Sequence, residues 1–428
     1  MPSNVNVTET ILITPSEPTP NHVLRLSALD SKLFARFVTD YMFVYEPRHG
    51  ADQDAITENV KTALSRALVP YYPLAGTVRV RAEDPGLEVA CTAQGAIFIT
   101  ATSTCTTPEF NSPPQHIMQW RSFLSHDVTD ALSGAPLVIM QLTWLQDGGA
   151  VLAVAFNHCM IDGAGSSQFL NSVAGIAMGP VGPGSGPKPV WARHLLDPVR
   201  ARGVEPVSLP ECKIVPDVSG FEARFATEAF AATSTFFDVD KLREMKELLK
   251  PRRHTSFEVL AGHVWRSWAR ALGLAPEQRV RVLFSINVRE RMRPGLPGGF
   301  YGNGVVHACA EASAGELAGN GLGFAAGLVA GAKEGVEEER VREVVESVSS
   351  KWEQVDFVGT LILTQWSRLG LEMVDFGLGR PVQVSPVCSG RFCTFLPVCG
   401  VENAVKVNLG VPVTALDQYL SFVTNISE

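Results

Sequence analysis

The sequence has no long apolar run and no closely spaced pair of cysteines. Its N-terminus lacks the basic and apolar parts of a secretory signal peptide, and no run reaches the roughly 20 apolar residues of a membrane-spanning helix. The eight cysteines are scattered without a CxxC pair, which favours reduced thiols over a disulfide framework. We therefore expect a cytoplasmic protein without membrane insertion.

An excess of positive charge is also missing. The 428 residues carry 36 Lys and Arg against 44 Asp and Glu, a formal net charge of −8, which argues against a nucleic-acid partner. There is no HExxH motif and no Cys/His cluster with zinc spacing, so we expect neither a metal nor a bound cofactor. The 46% hydrophobic content is typical of a globular protein with a large core.

Patterns of a nucleophilic enzyme or a kinase are absent as well. No GxSxG elbow lies near His158. Cys159 directly follows His158, and side chains of adjacent residues in an extended chain point to opposite faces. Asp375-Phe376-Gly377 matches a kinase DFG triplet, but no HRD triplet or preceding glycine-rich phosphate loop accompanies it. These reaction classes are therefore excluded.

The most informative stretch present is Ala150–Gly165. An apolar run over Val151–Phe156 follows a Gln-Asp-Gly-Gly turn and predicts a buried strand entered from a hairpin. The strand ends at His158, and the next helix is predicted over Ser166–Met178, so the imidazole lies on a loop suited to an active site. A neutral imidazole can take a proton from an attacking hydroxyl or amine. We hypothesise that His158 is a general base, the alternative being a structural histidine.

A second HxxxD sequence, His126–Asp130, provides a comparison. It lies in a polar segment with no apolar strand before it and no glycine directly after it. A short motif needs a structural context to carry a function, so we interpret this second occurrence as coincidence.

Asp162 has two possible roles. It could orient His158 as in a catalytic triad, or it could anchor the loop; Gly163 favours the anchor, because a sharp turn would direct the carboxylate away from the imidazole. A buried carboxylate also needs a cationic partner. Arg289 and Arg291, which follow a predicted strand, are the candidates.

The clearest break in composition is the segment GPVGPGSGPKP at 179–189, where proline excludes a helix interior and glycine weakens a strand. We predict an N-terminal domain over 1–178, a crossover linker over 179–212 and a C-terminal domain over 213–428. Predicted elements of the second domain are a helix over Ser256–Leu272, a strand over Val280–Val288, a helical region over Ala318–Glu346 and a terminal helix from Pro412.

A basic turn opens the Ser256 helix. Lys250, Arg252 and Arg253 precede Thr255 and Ser256, and basic side chains beside a helix N-terminus form a plausible phosphate site. A solvated basic turn is the alternative.

Two short motifs in this order resemble the plant BAHD acyl-CoA-dependent acyltransferases, which carry HxxxD and DFGWG. They are HCMIDG at 158–163 and DFGLG at 375–379, and further blocks of the same character span the chain. These blocks are YYPLAG at 71–76, SGAPLVIMQL at 133–142, TSFEVLAGHVW at 255–265, NVRERMRPGLPGGFYGN at 287–303 and TQW at 364–366.

The resemblance implies an α/β fold of two similar chloramphenicol-acetyltransferase-like domains. Their mixed sheets are flanked by helices and joined by a long crossover loop, with a tunnel between the domains. Acyl-CoA enters one face as co-substrate, and a small-molecule alcohol or amine enters the other. The resemblance also pairs Asp162 with Arg289 structurally. We expect a monomer.

By the same resemblance, His158 deprotonates the acceptor, which attacks the thioester directly without an acyl-enzyme. The oxyanion needs fixed donors, for which Thr364, Trp366 and the backbone near Leu378 are the positions to test. The basic turn described above would hold the phosphates of CoA.

One departure concerns the second motif, where Leu378 replaces the usual Trp. Because Asp375, Gly377 and Gly379 are present, we favour a structural role for the motif, the alternative being that the indole contacts substrate. The blocks at 262–274 and 364–369 resemble hydroxycinnamoyl-transferring members, so we expect O-acyl transfer of a hydroxycinnamoyl group. The acceptor stays open among shikimate or quinate, a fatty ω-hydroxy acid or alcohol, and an amine. The alternatives are a polyamine or arylamine N-acyltransferase and a non-catalytic relative.

Overall fold

The fold comes from a computed structural model that describes residues 4–114, 116–126, 132, 134–179, 187–198, 207–350, 354–388 and 392–426. These residues form two six-stranded sheets and one three-stranded sheet. Asp130 of the second HxxxD sequence lies outside the described residues.

The first half of the chain supplies eight strands and three α-helices among the described residues. They are β1 (Val5–Ile13), β2 (Val23–Arg25), α1 (Ala28–Ser31), β3 (Val38–Tyr45), α2 (Gln53–Ala67), β4 (Thr77–Val80), β5 (Leu87–Ala90), β6 (Ala96–Ser103), β7 (Val138–Trp144), β8 (Ala150–Asn157) and α3 (Gly163–Ala177).

The second half supplies the remaining described strands and α-helices. They are α4 (Phe221–Thr227), β9 (Phe230–Phe237), α5 (Val239–Glu247), α6 (Ser256–Ala271), β10 (Arg279–Asn287), β11 (Val305–Ser313), α7 (Ala314–Gly319), α8 (Leu322–Glu334), α9 (Glu338–Ser350), β12 (Thr360–Gln365), β13 (Gln383–Ser385), β14 (Phe392–Val398), β15 (Val401–Pro412) and α10 (Leu416–Thr424).

Both large sheets are mixed, as predicted. The first has the order β1-β6-β7-β8-β3-β13, in which only β6 and β7 run parallel; the second has the order β11-β10-β12-β14-β15-β9, with β12 parallel to both β10 and β14. The predicted α/β class with two similar domains flanked by helices is confirmed.

Burial explains why β8 reads as an uninterrupted apolar run. All of its residues are buried, because β7 and β3 flank it in the sheet and both of its faces are covered. A strand covered on both faces loses the alternation of apolar and polar residues. The chain stays in the core of the first half beyond Asn157, because Cys159, Met160 and Ile161 are buried there as well.

Two helical predictions in the second half need correction. The single helical region predicted over Ala318–Glu346 is three helices, α7, α8 and α9, separated by short breaks. The terminal helix begins at Leu416 rather than Pro412, because Pro412 is the last residue of β15 and a 3₁₀ turn over Val413–Ala415 follows it.

One strand crosses between the halves. β13 lies far beyond the predicted linker, yet it pairs antiparallel with β3 at the edge of the first sheet, with Val384 opposite Phe43. Neighbouring apolar residues, including Val374 and Leu378, also pack into the core of the first half. The first sheet is therefore completed by the second half of the chain.

A buried ion pair attaches the crossover segment to the first half. Arg193 Nη1 lies 2.7 Å from Asp30 Oδ2, and the two side chains are 1% and 0% exposed. Arg193 Nη2 donates to the carbonyl of Met160 at 2.6 Å, and Asn303 donates two hydrogen bonds to Asp30 Oδ1. Three distant parts of the chain thus meet directly behind the loop that follows β8.

Arg193→Met tests this ion pair. Removing one partner leaves a buried carboxylate without its cation, which we expect to lower the free energy of unfolding by about 3–5 kcal/mol. Arg25→Met is the matched control, because Arg25 pairs with Glu83 at the surface and exposed pairs contribute about 0–1 kcal/mol. Urea denaturation of both variants measures the difference; equal losses would contradict the role given to Arg193.

Candidate active site

A cavity of about 520 Å³ lies between the two halves of the chain and is lined by both. His158 and Asp162 come from the loop after β8, and other lining residues come from β3, β10, β11, β12 and β14. Those named below are Lys32, Phe34, Phe37, Asp40, Tyr41, His158, Asp162, Ser285, Arg289, Asn303, Val305, His307, Thr364, Trp366 and Phe392.

The backbone of His158 is held on both sides. Its N–H donates to the carbonyl of Phe37 at 2.9 Å, and its carbonyl accepts from Asn303 Nδ2 at 2.7 Å. The imidazole packs on the Phe37 ring with the centroids 4.8 Å apart. His158 is therefore fixed at the wall of the cavity by contacts from both halves of the chain.

The surroundings of His158 favour its neutral form. Burial lowers the pKa of the imidazole, and the Asp162 carboxylate raises it only in part. Nδ1 is buried without a hydrogen-bond partner, so Nε2 is the ring nitrogen available to a molecule in the cavity. A neutral imidazole with one accessible nitrogen can accept a proton.

Asp162 contacts Arg289 through two hydrogen bonds of 2.8 Å. Its carboxylate also accepts the backbone N–H groups of Gly165 and Gly304, each at 2.9 Å. Burial alone would raise the pKa of Asp162, but Arg289 and these donors lower it. Among the described residues, the carboxylate accepts hydrogen bonds from Arg289, Gly165 and Gly304 and not from His158, and this geometry agrees with the anchor interpretation.

The other predicted cation lies elsewhere. Arg291 donates to the carbonyl of Lys333 in the last turn of α8 and to the carbonyl of Val336 just after this helix. Gly165, in the first turn of α3, has a packing role: a Cβ there would collide with the carbonyl of Tyr301 from the second half. This glycine thus permits the close approach that lets Asp162 reach Arg289.

Cys159 is not a competing nucleophile. Its side chain is buried and its Sγ contacts the carbonyl of Ala35 at 3.3 Å. Burial raises the pKa of the thiol to about 12, so the sulfur stays protonated, whereas only a thiolate attacks efficiently.

Thr364 and Trp366 both line the cavity from the end of β12. Trp366 packs on Tyr41 with ring centroids 4.6 Å apart, and its backbone N–H donates to Phe395. These two predicted residues therefore share the cavity with His158.

The DFGLG motif lies away from the cavity. Asp375 Oδ1 accepts the N–H groups of Gly377 and Gly379 at 2.8 and 2.9 Å, and both glycines have the positive φ angles, 94° and 88°, that glycine tolerates best. Leu378 is 6% exposed within the core of the first half. Among the described residues, none from 375 to 379 lines the cavity, so the backbone near Leu378 is not placed to meet an oxyanion there.

The residues predicted to bind CoA are exposed or half-buried at the start of α6, outside the cavity lining. Thr255 caps the helix, and its N–H donates to Glu258, which also pairs with Lys333 at 2.7 Å. Lys250 pairs with Glu247. A protein carboxylate therefore occupies the helix N-terminus at Thr255 and Ser256. Arg252 and Arg253 are exposed like Lys250, but they form no ion pair within the described part of the chain.

Three titratable residues of the cavity escaped the sequence analysis. Asp40 accepts the N–H of Val387 at 2.9 Å, and burial raises its pKa to about 6. Lys32 and His307 also line the cavity. No local motif marks these residues; alternation along β3 and β11 only assigns Asp40 and His307 to one face of their strands, and Lys32 lies outside both strands.

A membrane-spanning helix and a metal-binding cluster are both absent from the described part of the chain. No helix there is long and apolar enough to cross a membrane. No group of three or more His, Cys, Asp or Glu residues is arranged to hold a metal ion within those same ranges.

Comparison with known proteins places this geometry in context. A family model described as the Transferase family matches residues 3–417. An omega-hydroxypalmitate O-feruloyl transferase of Arabidopsis thaliana is 32% identical over 426 residues, covering 97% of this chain and 92% of that protein.

Two solved structures share the fold at lower identity. Vinorine synthase superposes with a TM-score of 0.75 and 19% identity, covering 99% of this chain and all of that one. F. graminearum TRI101, in complex with coenzyme A and T-2 mycotoxin, superposes with a TM-score of 0.73 and 15% identity, covering 93% and 96% of the two chains.

The neutral state of His158 is open to measurement. We expect NMR of ¹³C-labelled histidine to show two rings titrating below the ordinary pKa of 6.5, those of His158 and His263, because burial disfavours the imidazolium in both. His158→Gln should remove one of these two signals and leave the other. As the pH falls below 6.5, the His158 imidazole of the unfolded chain binds a proton that the buried ring does not bind. This residue therefore lowers the free energy of unfolding at acidic pH. A pKa above 6.5 for the assigned ring would contradict the described burial.

Proposed function

The chain belongs to the BAHD family of transferases, which makes it an acyl-CoA-dependent O-acyltransferase, and we propose that it transfers a hydroxycinnamoyl group to an acceptor hydroxyl. The observation that carries the proposal is a neutral imidazole at the wall of a cavity shared by both halves of the chain. Residues on both sides of His158 leave space for two substrates to meet.

In this mechanism His158 acts as general base. Nε2 accepts the proton of the acceptor hydroxyl while the oxygen attacks the thioester carbon, forming a tetrahedral intermediate. Collapse of the intermediate breaks the carbon–sulfur bond, and the proton passes from Nε2 to the sulfur of CoA. No acyl-enzyme forms, which agrees with the protonated state of Cys159.

Thr364 and Trp366 are the proposed contacts for the oxyanion and the substrate. Both line the cavity together with His158, and a hydroxyl or indole N–H donor stabilises charge that develops on the thioester oxygen. Asp162 and Arg289 support the reaction only by holding the loop, because their hydrogen bonds connect them to each other and to backbone.

Coenzyme A is the proposed acyl carrier, with its phosphates outside the cavity. Arg252 and Arg253 are exposed at the basic turn before α6 and supply the positive charge that phosphates need. Thr255 and Ser256 border this turn but lie next to the Glu258 carboxylate, and Lys250 shares its charge with Glu247. We therefore assign the phosphates chiefly to the two arginines.

The aromatic lining supports an aromatic or long aliphatic substrate. Phe37 stacks between His158 and Phe392, with centroid distances of 4.8 and 6.2 Å, and Phe34 adjoins Phe37 at 6.4 Å. Such rings bind flat apolar groups. The similarity to an O-feruloyl transferase that acts on omega-hydroxypalmitate points to the same two substrate types.

An amine acceptor is a second candidate, which Asp40 favours. This carboxyl lines the cavity and its pKa of about 6 leaves it mainly ionised near neutral pH, so it can attract a protonated amine.

We further propose a cytoplasmic monomer; the eight free cysteines support a reducing compartment.

His158→Gln tests the proposed base. With p-coumaroyl-CoA and separate acceptors (shikimate, a long-chain ω-hydroxy acid, spermidine), thiol release should be observed for wild type with at least one acceptor. The variant should lose about 10²- to 10⁴-fold in kcat, the range that a general base contributes. Full activity of the variant would refute the base assignment, and turnover of spermidine alone would establish the amine alternative.

Leu378→Trp tests whether the motif residue contacts substrate. Because Leu378 lies in the core of the first half, outside the cavity lining, we expect kcat and KM to stay unchanged while overpacking shifts the free energy of unfolding by about 1–3 kcal/mol. Steady-state kinetics and urea denaturation of the same preparation separate the two effects. A changed KM for either substrate would contradict the structural role.

A further inference from the structure

A second polar cluster, made of Lys32, Glu211 and His307, borders the same cavity: Lys32 and His307 line it, and Glu211 contacts His307. Lys32 follows α1, Glu211 belongs to the 3₁₀ turn Pro210–Cys212 near the end of the crossover, and His307 lies on β11. Lys32 and Glu211 are only 5% and 3% exposed. Three separate parts of the chain therefore place charged and titratable groups beside the proposed reaction site, and the mechanism above uses none of them.

The imidazole of His307 is oriented by the carboxylate. Its Nδ1 lies 3.2 Å from Glu211 Oε1, which favours the tautomer with the proton on Nδ1. Although burial alone raises the pKa of Glu211, His307 and Lys32 lower it to about 2, so the carboxylate is ionised. Nε2 lies on the opposite side of the ring, and since His307 lines the cavity, this nitrogen is the acceptor left for a ligand.

Lys32 supplies a donor next to this acceptor. Its Nζ donates to the backbone carbonyl of Val305 at 3.3 Å, two residues before His307 on β11. Burial lowers the pKa of this ammonium, and the Glu211 carboxylate that contacts His307 counteracts the shift, so Lys32 and His307 lie near the same carboxylate. One contact leaves two of the three ammonium protons unused. Ser285, directly opposite His307 on β10, also lines the cavity, so this wall is polar, whereas the wall formed by Phe37 and Phe392 is aromatic.

We propose that Lys32 and His307 form a subsite for a hydroxyl group at the end of a substrate remote from the reacting carbon. The hydroxyl donates to His307 Nε2, and its oxygen accepts from Lys32 Nζ. This inference rests on the proposed function, because the hydroxyl belongs to one of the two substrates of the transfer. It is either the ring hydroxyl of the acyl group or a distal hydroxyl of the acceptor.

A hydroxyl suits the cluster better than a carboxylate. One donor and one acceptor side by side match an O–H group, which is itself a donor and an acceptor. A carboxylate offers no proton to Nε2, and the ionised Glu211 behind the cluster already neutralises one positive charge. Phe34 packs edge-on against His307 at 4.7 Å, so an aromatic or apolar chain can reach the subsite along the phenylalanine wall.

The test compares substrates that differ only in the hydroxyl. The acyl pair is p-coumaroyl-CoA and cinnamoyl-CoA; the acceptor pair is 1,16-hexadecanediol and 1-hexadecanol. For wild type we expect a ratio of kcat/KM of about 10 to 100 in favour of the hydroxylated member of one pair, the range expected for a hydrogen bond to a charged group. Lys32→Met and His307→Phe should bring this ratio close to 1 while the other pair is unaffected.

Two further variants serve as controls for the proposed subsite. His307→Gln keeps an acceptor near Nε2 and should retain part of the ratio, which a purely structural role of the ring would not produce. Lys406→Met removes a lysine that is half-buried on β15, outside the cavity lining, and should leave the ratio at the wild-type value. If Lys32→Met fails to fold, the His307 pair of variants decides.

The outcomes separate the two proposals. Loss of the ratio in the acyl pair or in the acceptor pair supports the subsite and identifies the source of the hydroxyl. An unchanged ratio in the folded, active variants overturns the subsite alone. So does a wild-type preference for 16-hydroxypalmitate over 1,16-hexadecanediol that Lys32→Met abolishes, because that preference would indicate an anion site. If wild type releases no thiol, the proposed function fails; quenching of tryptophan fluorescence by the same compounds then tests the subsite through the ratio of binding affinities.

Discussion

The ion pair between Asp162 and Arg289 determines where His158 lies. Both oxygens of the Asp162 carboxylate accept a hydrogen bond from the Arg289 guanidinium. The backbone N–H groups of Gly165 and Gly304 donate to the same carboxylate. A buried pair of this kind is weak evidence for stability, but losing one partner is costly. Its chief consequence is positional, since it ties the loop after β8 to the chain after β10 and so fixes the width of the cavity between the two sheets.

The sequence was sufficient for the fold class and for the region around His158. The apolar run before His158 and the glycines after it are local signals, and local signals predict strands and helices well. The domain bounds drawn from the proline-rich break at 179–189 stay a prediction. The three-helix division of the region around Ala318–Glu346 was missed because a helical composition continues across short breaks. The terminal helix was predicted to begin at Pro412, which is the last residue of β15. Proline occurs both at the first position of a helix and at the end of a strand, so the residue alone does not distinguish the two.

Residues whose importance depends on distant partners could not be predicted in this way. Asp40, Lys32 and His307 reach the cavity only because the two halves pack together, and no spacing in the chain marks that encounter. The basic turn illustrates the converse case: Thr255 was predicted as a phosphate contact, yet Glu258, three residues further on, already accepts its N–H. A capping box has the same local signature as an anion site, with the anion supplied by the protein itself.

The pairing of β13 with β3 has a consequence for synthesis of the protein on the ribosome. Until residue 385 has emerged, β3 is an edge strand with a row of unpaired backbone groups, and its apolar residues from Tyr41 to Tyr45 form the kind of edge that pairs with other chains. The first sheet is therefore completed only after nearly the whole polypeptide has been synthesised. The position of β13 in the sequence, rather than the linker, determines when this edge is protected from aggregation.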